Sequence, residues 1–293
     1  MAAAERVGAV GWDEIGGTTI RKLIFLMLLA FFAVRPLDGR VEAAADYGVF
    51  IGVEEAEILD VSAGYRTIVV DGLSFSAETI QALKARGQFV YSYISVGALE
   101  IYRDYFERFK ALTLAPYENW PDEYWVDVSD PAWEAFVVDE LAKSLVEKSV
   151  DGFFLDNFDV YALYPEEKMA QGLIQILTGL KVYDLPILIN GGDGFVERLI
   201  DKGEGGLISG VNQEGVFSRI EDYERDLFGA QLLADRAYFT DYLDKVRRAG
   251  LAVYLLEYTT DPALIREIQR YCRDNGFGVY ISSSVALDGR EAR

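Results

Sequence analysis

The segment VDGFFLDNFDVY, residues 150–161, shows the pattern that decides the fold of this chain. Its apolar residues 152–155 are consecutive rather than alternating, which is typical of a parallel strand that helices cover on both faces. Asp156 and Asn157 follow directly, so polar side chains stand at the end of the predicted strand. Seven further runs of the same kind occur at residues 47–51, 67–70, 89–94, 186–189, 207–211, 252–256 and 278–281.

Helix signals separate these apolar runs. Asp130-Pro131 and Asp261-Pro262 each place an N-cap acid before a proline at the first helical position. Eight strands that alternate with helices predict an α/β fold, a (β/α)8 TIM barrel. An open, doubly wound sheet is the alternative, but no GxGxxG motif or P-loop follows any strand. Because only eleven residues follow Ser282, we expect the eighth helix to be short or missing.

The composition excludes several kinds of chemistry. The 293 residues include no histidine, which rules out Ser-His-Asp hydrolysis, Cys-His proteolysis and His-ligated zinc. Cys272 is the only cysteine, so the chain has neither an internal disulfide nor a CxxC metal site. None of the eight predicted strands contains lysine, which argues against Schiff-base chemistry. The net charge of −20 disfavours nucleic acid and anionic membranes as partners and suits a cationic ligand.

The first 45 residues have the features of an export signal. Arg21 and Lys22 precede an uncharged run at residues 23–34, and Ala43-Ala44-Ala45 provides small residues for cleavage. This run is shorter than the roughly 20 residues that span a bilayer. We therefore predict a signal peptide or uncleaved anchor over residues 1–45, with no other membrane contact. We expect one barrel domain over residues 46–293, in a secreted or extracytoplasmic monomer.

Polar residues cluster at the ends of the predicted strands, where barrel enzymes build their sites. Carboxylates that converge on one mouth repel each other, and proteins accept this for catalysis or to hold a cation. The candidate substrate-binding residues are Asp71, Tyr93, Glu100, Asp159, Asn190, Asp193, Asn212, Glu257 and Tyr258.

Glycoside hydrolysis is a reaction that carboxylates perform without a cofactor or metal. One carboxylic acid protonates the leaving oxygen, and a second carboxylate attacks the anomeric carbon or activates water. The fourth and sixth strands end near Asp156 and Glu214, so these two acids are expected to face each other across the mouth. We predict that Asp156 is the nucleophile and Glu214 the proton donor. A divalent cation held by carboxylates and carbonyls is the alternative.

The long segment after the third strand is rich in aromatic residues. It contains Trp120, Tyr124 and Trp125, and Trp133 follows shortly after. Aromatic faces stack on sugar rings and also attract cations. We therefore add Trp125 to the substrate-binding candidates, with packing of the loop as the alternative, and assign Trp133 to the core.

Five motifs resemble glycoside hydrolase family 114, whose characterised members are endo-α-1,4-polygalactosaminidases. They are YISVGALEIYRDYF (91–104), YWVDVSDPAW (124–133), VDGFFLDNFDVY (150–161), ILINGG (187–192) and GVNQEGVF (210–217). The resemblance implies a TIM barrel whose catalytic acids follow the fourth and sixth strands, here Asp156 as nucleophile and Glu214 as acid/base. It also implies a secreted enzyme that cleaves α-1,4 bonds in a cationic amino-sugar polysaccharide. A carbohydrate-binding barrel without turnover is the alternative.

Overall fold

The computed structural model describes residues 47–292. Its strands are β1 Tyr47–Phe50, β2 Thr67–Val70, β3 Phe89–Ser95, β4 Ala98–Glu100, β5 Thr113–Tyr117, β6 Trp120–Val126, β7 Gly152–Asp156, β8 Ile187–Asn190, β9 Gly210–Glu214, β10 Ser218–Asp222, β11 Leu227–Ala230, β12 Ala252–Tyr258 and β13 Gly278–Ser282. Its α-helices are α1 Ile58–Val61, α2 Ala77–Ala85, α3 Phe106–Phe109, α4 Pro131–Phe136, α5 Lys143–Glu147, α6 Val160–Leu163, α7 Glu167–Leu180, α8 Asp193–Asp201, α9 Leu233–Arg248 and α10 Pro262–Asn275. A π-helical segment, Val137–Ala142, joins α4 to α5.

Eight of the strands form one parallel sheet in the order β1-β2-β3-β7-β8-β9-β12-β13. Phe50 of β1 packs against Tyr280 of β13, with ring centroids 5.4 Å apart, so the two ends of the sheet meet. The predicted TIM barrel is therefore confirmed, and consecutive strands along the barrel lie next to each other. The N-caps are confirmed too, because Asp130 and Asp261 accept hydrogen bonds from the amides of Ala132 and Ala263.

The sixth barrel strand begins and ends three residues later in the sequence than predicted. Its apolar run was placed at 207–211, whereas the strand is Gly210–Glu214. The preceding residues Gly205–Leu207 form a 3-10 turn instead. Apolar character alone did not separate a loop residue that packs against the core from a strand residue.

No helix follows β13 within the described residues, as expected from the short C-terminal segment. Residues 283–292 return along the barrel edge, where Ala292 N donates to Ile281 O at 3.0 Å. Gly52 N, just after β1, donates to Leu287 O at 3.3 Å. This segment therefore covers the junction between the last strand and the first, where an eighth helix would otherwise pack.

Two small antiparallel sheets extend from the carboxyl ends of the barrel strands. The sheet β4-β6-β5 follows β3, and the hairpin β10-β11 follows β9. They touch through Trp120 and Tyr223, whose ring centroids are 5.9 Å apart. Trp133 lies in the core as predicted, fully buried, with its indole N–H donating to Val96 O at 2.9 Å.

The predicted export signal, residues 1–45, lies outside the described residues. Within residues 47–292, no helix combines the length and the apolar character needed to cross a bilayer.

Candidate active site

A cavity of about 370 Å³ opens at the carboxyl ends of the barrel strands. That volume falls in the range typical of small-ligand sites. Both predicted catalytic acids line it, together with seven of the ten predicted substrate-binding residues. The seven are Asp71, Tyr93, Glu100, Asp159, Asn190, Asp193 and Tyr258.

The two acids Asp156 and Glu214 are joined by one amide. Asn190, at the end of β8 between their strands, donates from Nδ2 to Asp156 Oδ1 at 2.8 Å and to Glu214 Oε1 at 2.7 Å. The two distances set an upper limit of about 5.5 Å between these carboxyl oxygens. The predicted pair therefore shares one cleft.

The backbone at the end of β7 holds Asp156 rigidly. Its carbonyl accepts from the amides of Val96 and Gly97 at 3.1 and 3.4 Å, and its Oδ1 accepts from the amide of Asn157 at 2.8 Å. A Cβ on Gly97 would lie 1.8 Å from the carbonyl oxygen of Asn157, so this close approach requires glycine. Within the described residues, no hydrogen bond reaches the other carboxyl oxygen, Asp156 Oδ2.

Glu214, at the end of β9, has a partner on each oxygen. Asn190 binds Oε1, and the Tyr258 hydroxyl donates to Oε2 at 2.8 Å. Gly215 follows with φ of 64°, a left-handed conformation that lets the chain turn away directly after Glu214.

Burial and mutual repulsion shift the protonation of this pair. Burial, followed by the charge of Glu214, raises the pKa of Asp156 to about 7. Burial also raises the pKa of Glu214, although the hydrogen bonds from Asn190 and Tyr258 oppose the shift. Because ionisation of either carboxyl raises the pKa of the other, the pair retains one proton toward neutral pH. One acid and one carboxylate are thus available together.

Two of the predicted substrate-binding acids, Asp71 and Glu100, share one arginine. Arg103 donates from Nε to Glu100 Oε2 at 2.6 Å and from Nη1 to Asp71 Oδ2 at 3.0 Å. Glu100 is 2% exposed and also accepts from the Tyr102 hydroxyl. We call Asp71, Glu100 and Arg103 the arginine cluster. It forms one wall of the cavity, and its single guanidinium compensates one of the two carboxylate charges.

Asp159 and Asp193 add acidic charge elsewhere in the cavity lining. Asp159 accepts from the Gly192 amide at 3.2 Å, and burial raises its pKa to about 6. Asp193 begins α8 and accepts from the Tyr238 hydroxyl. Neither carboxylate has a cationic partner among the described residues.

The family model of glycoside-hydrolase family GH114 matches residues 43–292. The chain belongs to glycoside-hydrolase family GH114. The predicted resemblance is therefore confirmed, and with it the prediction of a glycoside hydrolase.

The fold of this GH114 chain is shared by solved structures of low sequence identity. The glycoside hydrolase domain of PelA from Pseudomonas aeruginosa is 20% identical with a TM-score of 0.70, covering 84% of this chain and 96% of that one. Ega3 from Aspergillus fumigatus, in complex with galactosamine, is 14% identical with a TM-score of 0.64, covering 84% and 94%. An uncharacterized protein of Deinococcus radiodurans is 23% identical over 224 residues, 72% of this chain and 69% of that relative.

Three predicted substrate-binding residues of the GH114 chain do not line the cavity. Asn212 is fully buried, because its side chain points into the barrel and contacts Asn190. Glu257 is also fully buried and accepts from the amides of Phe217 and Ser218, so it anchors the loop after β9.

Trp125 is the third of these corrections. It is 3% exposed and stacks on Tyr117, with ring centroids 4.0 Å apart. Tyr117, on the neighbouring strand β5, lines the cavity, and Trp125 packs against it as part of the wall. The alternative of loop packing was correct for this tryptophan.

Sequence reasoning missed Glu123, which also lines the cavity. It lies on β6 directly opposite Glu100 of β4. Burial, then the charges of Glu100 and Asp156, raises the pKa of Glu123 to about 8. Glu123 does not follow a barrel strand, so the strand-end rule did not identify it; the aromatic segment around it was the only signal.

Among residues 47–292, no three Asp, Glu or Cys side chains are grouped closely enough to hold a metal ion.

Proposed function

We propose that this protein is a secreted, endo-acting glycosidase that cleaves α-1,4 bonds of a cationic amino-sugar polysaccharide. In this proposal Asp156 is the nucleophile and Glu214 the acid/base. The observation that carries the roles is the shared Asn190 amide, which keeps the two carboxyl oxygens within about 5.5 Å. Separations of roughly 5–5.5 Å are typical of retaining glycosidases, whereas inverting enzymes need roughly 6.5–9.5 Å.

The free oxygen of Asp156 supports its role as nucleophile. Oδ1 is held by the amides of Asn157 and Asn190, which leaves Oδ2 to attack the anomeric carbon. Glu214 protonates the leaving glycosidic oxygen, the carbon–oxygen bond breaks, and a glycosyl ester forms on Asp156. Glu214, now ionised, takes a proton from water, and the resulting attack releases the sugar with its original configuration.

The charge of the cavity supports an amino-sugar substrate. Asp159 and Asp193 line it, and Arg103, the one Lys or Arg among the described lining residues, is paired with Glu100 and Asp71. An ammonium group would therefore meet carboxylates without a competing free cation. Ega3, which shares the fold, has been solved in complex with galactosamine.

The test is hydrolysis of deacetylated galactosaminogalactan by the purified chain, measured as new reducing ends. We expect Asp156→Asn and Glu214→Gln to lower kcat by about 10³-fold or more, since each removes a group that acts on the reacting bond. Binding of the polymer should persist in both variants. The exposed Asp241→Asn and Glu78→Gln serve as matched controls and should retain full activity.

Binding without hydrolysis by the unmodified chain would favour the carbohydrate-binding barrel. Full activity in both site variants would refute the assigned roles. The configuration of the first product, followed by NMR, tests the retaining outcome: initial release of the β-anomer would contradict it.

A further inference from the structure

A chain of hydrogen bonds runs from the centre of the barrel to the two acids. The Tyr47 hydroxyl, on β1, donates to Asn212 Oδ1 on β9 at 2.9 Å. Asn212 Nδ2 donates to Asn190 Oδ1 at 2.6 Å, and Asn190 Nδ2 donates to Asp156 and Glu214. We call Tyr47, Asn212 and Asn190 the amide relay.

The relay determines which end of the Asn190 amide faces the acids. An amide has one donor end and one acceptor end, and only the NH2 end stabilises carboxylates. If Asn190 turned over, its oxygen would face Asp156 and Glu214, and Asn212 would have to turn over as well. The Tyr47 hydroxyl would then accept from Asn212, and its own proton would lose the acceptor that Asn212 Oδ1 now provides.

Burial makes that reversed arrangement costly. Tyr47 is 1% exposed and Asn212 is fully buried, so water does not replace a lost partner. A buried polar group without a hydrogen bond destabilises the protein by the full cost of its desolvation. The tyrosine on the opposite side of the barrel thus favours the orientation in which Asn190 donates to both acids.

We propose that Tyr47 and Asn212 are positioning residues that set the protonation of the catalytic pair by orienting Asn190. This inference rests on the proposed function for its effect on turnover, but its effect on the carboxyls does not depend on a substrate. Neither residue lines the cavity, so neither contacts a bound sugar.

Asn190 is the donor that both acids share, whereas the Asn157 amide binds only Asp156 and the Tyr258 hydroxyl only Glu214. Other groups also act electrostatically on the pair. Two of these groups are acids: Asp159 raises the pKa of Asp156, and Asp156 raises the pKa of Glu123. The remaining groups are tyrosine hydroxyls. These tyrosines are Tyr47, Tyr93, Tyr117, Tyr223 and Tyr258. The cation on the cavity wall, Arg103, is engaged by Glu100 and Asp71. Hydrogen bonds from neutral donors therefore oppose the repulsion between the acids.

The test compares two tyrosine variants in the full chain. Tyr47→Phe removes the donor of the relay, whereas the control Tyr280→Phe removes a buried barrel hydroxyl that has no partner in the described structure. We expect Tyr47→Phe to lower kcat about tenfold, the effect of one weakened hydrogen bond, with KM unchanged. Weaker donation from Asn190 raises the pKa of both acids, so both limbs of the pH profile should move to higher pH. Tyr280→Phe should leave the profile in place.

A second variant and a direct titration complete the test. Asn212→Leu removes the donor to Asn190 Oδ1 and should lower kcat by about 100-fold. It should also move the pH profile further than Tyr47→Phe does. Titration of 13C-labelled Asp and Glu carboxyls by NMR, assigned with Asp156→Asn, reports the same pKa shifts without any substrate. Unchanged carboxyl titration in Tyr47→Phe would overturn the relay, even if its thermal stability fell. Failure of the unmodified chain to cleave any amino-sugar polymer would instead count against the proposed function, and the titration would still decide the relay.

Discussion

Two acidic clusters face the same cavity and differ in what binds them. Asp156 and Glu214 share a neutral amide donor, Asn190, whereas Asp71 and Glu100 share the guanidinium of Arg103. A cation attracts the ionised form of a neighbouring carboxylate and so offsets the repulsion between two of them. Neutral donors stabilise the ionised form less, so repulsion and burial leave a proton on the pair of Asp156 and Glu214.

The comparison shows that acidity at a barrel mouth does not identify reactive groups. Both clusters supply carboxylates at strand ends, but only the one without a counter-charge offers an acid and a base together. The arginine cluster instead joins β2 to the segment after β4 and stabilises the wall. Substitutions in the two clusters should therefore have opposite effects on stability.

The largest effect is expected from Arg103→Met, which leaves Asp71 and Glu100 without their cation. Removing one partner of a buried ion pair costs about 3–5 kcal/mol, because an uncompensated charge remains. The free energy of unfolding, measured in urea, should fall by this amount. Arg108→Met is the matched control, since Arg108 and Glu140 are about half exposed, and it should cause a clearly smaller loss. Equal losses in the two variants would contradict the structural role of the cluster.

Asp156→Asn should instead increase the free energy of unfolding, by a smaller amount. Burial and Glu214 raise the pKa of Asp156 from 3.8 to about 7, so the folded protein holds a proton that the unfolded chain releases. The stability of the unmodified protein therefore falls as pH rises through the interval from about 4 to about 7. The asparagine variant lacks this loss, which corresponds to about 4 kcal/mol for the full shift, but it also weakens the hydrogen bonds that the carboxylate accepts from Asn157 and Asn190. We therefore expect a net gain of about 2 kcal/mol at pH 8, with little difference at pH 4.

Thermal unfolding of Asp156→Asn at both pH values checks this prediction. The surface variant Asp241→Asn should show no such dependence on pH. A destabilised Asp156→Asn at pH 8 would mean that the carboxylate is held by favourable contacts stronger than its repulsion from Glu214.

The smallest expected effect is that of salt concentration on KM. If uncompensated carboxylates such as Asp159 and Asp193 attract a cationic polymer, KM should rise a few-fold between about 0.05 and 0.5 M salt, because ions screen the attraction. Cleavage of a fully acetylated, neutral polymer is the control and should not respond. Asp193→Asn should reduce the response, and an equal salt effect on the neutral polymer would contradict electrostatic recognition.

The sequence alone determined the barrel and the principal pair. Eight apolar runs separated by capped helices are sufficient for this fold, because each run must be covered on both faces by helices. Parallel strands bring their carboxyl ends to one mouth, so Asp156 and Glu214 were found from their places in the chain. The absence of histidine then narrowed their chemistry to that of carboxyl groups.

Only the tertiary structure decided which of the other polar residues reach the cavity. Side-chain direction at a strand end changes from one residue to the next, so Glu257 anchors a loop while its neighbour Tyr258 binds Glu214. Glu123 comes to the mouth on a hairpin that no strand-end rule describes. The hydrogen bond from Tyr47 to Asn212 joins residues 165 positions apart, and only closure of the barrel brings them together.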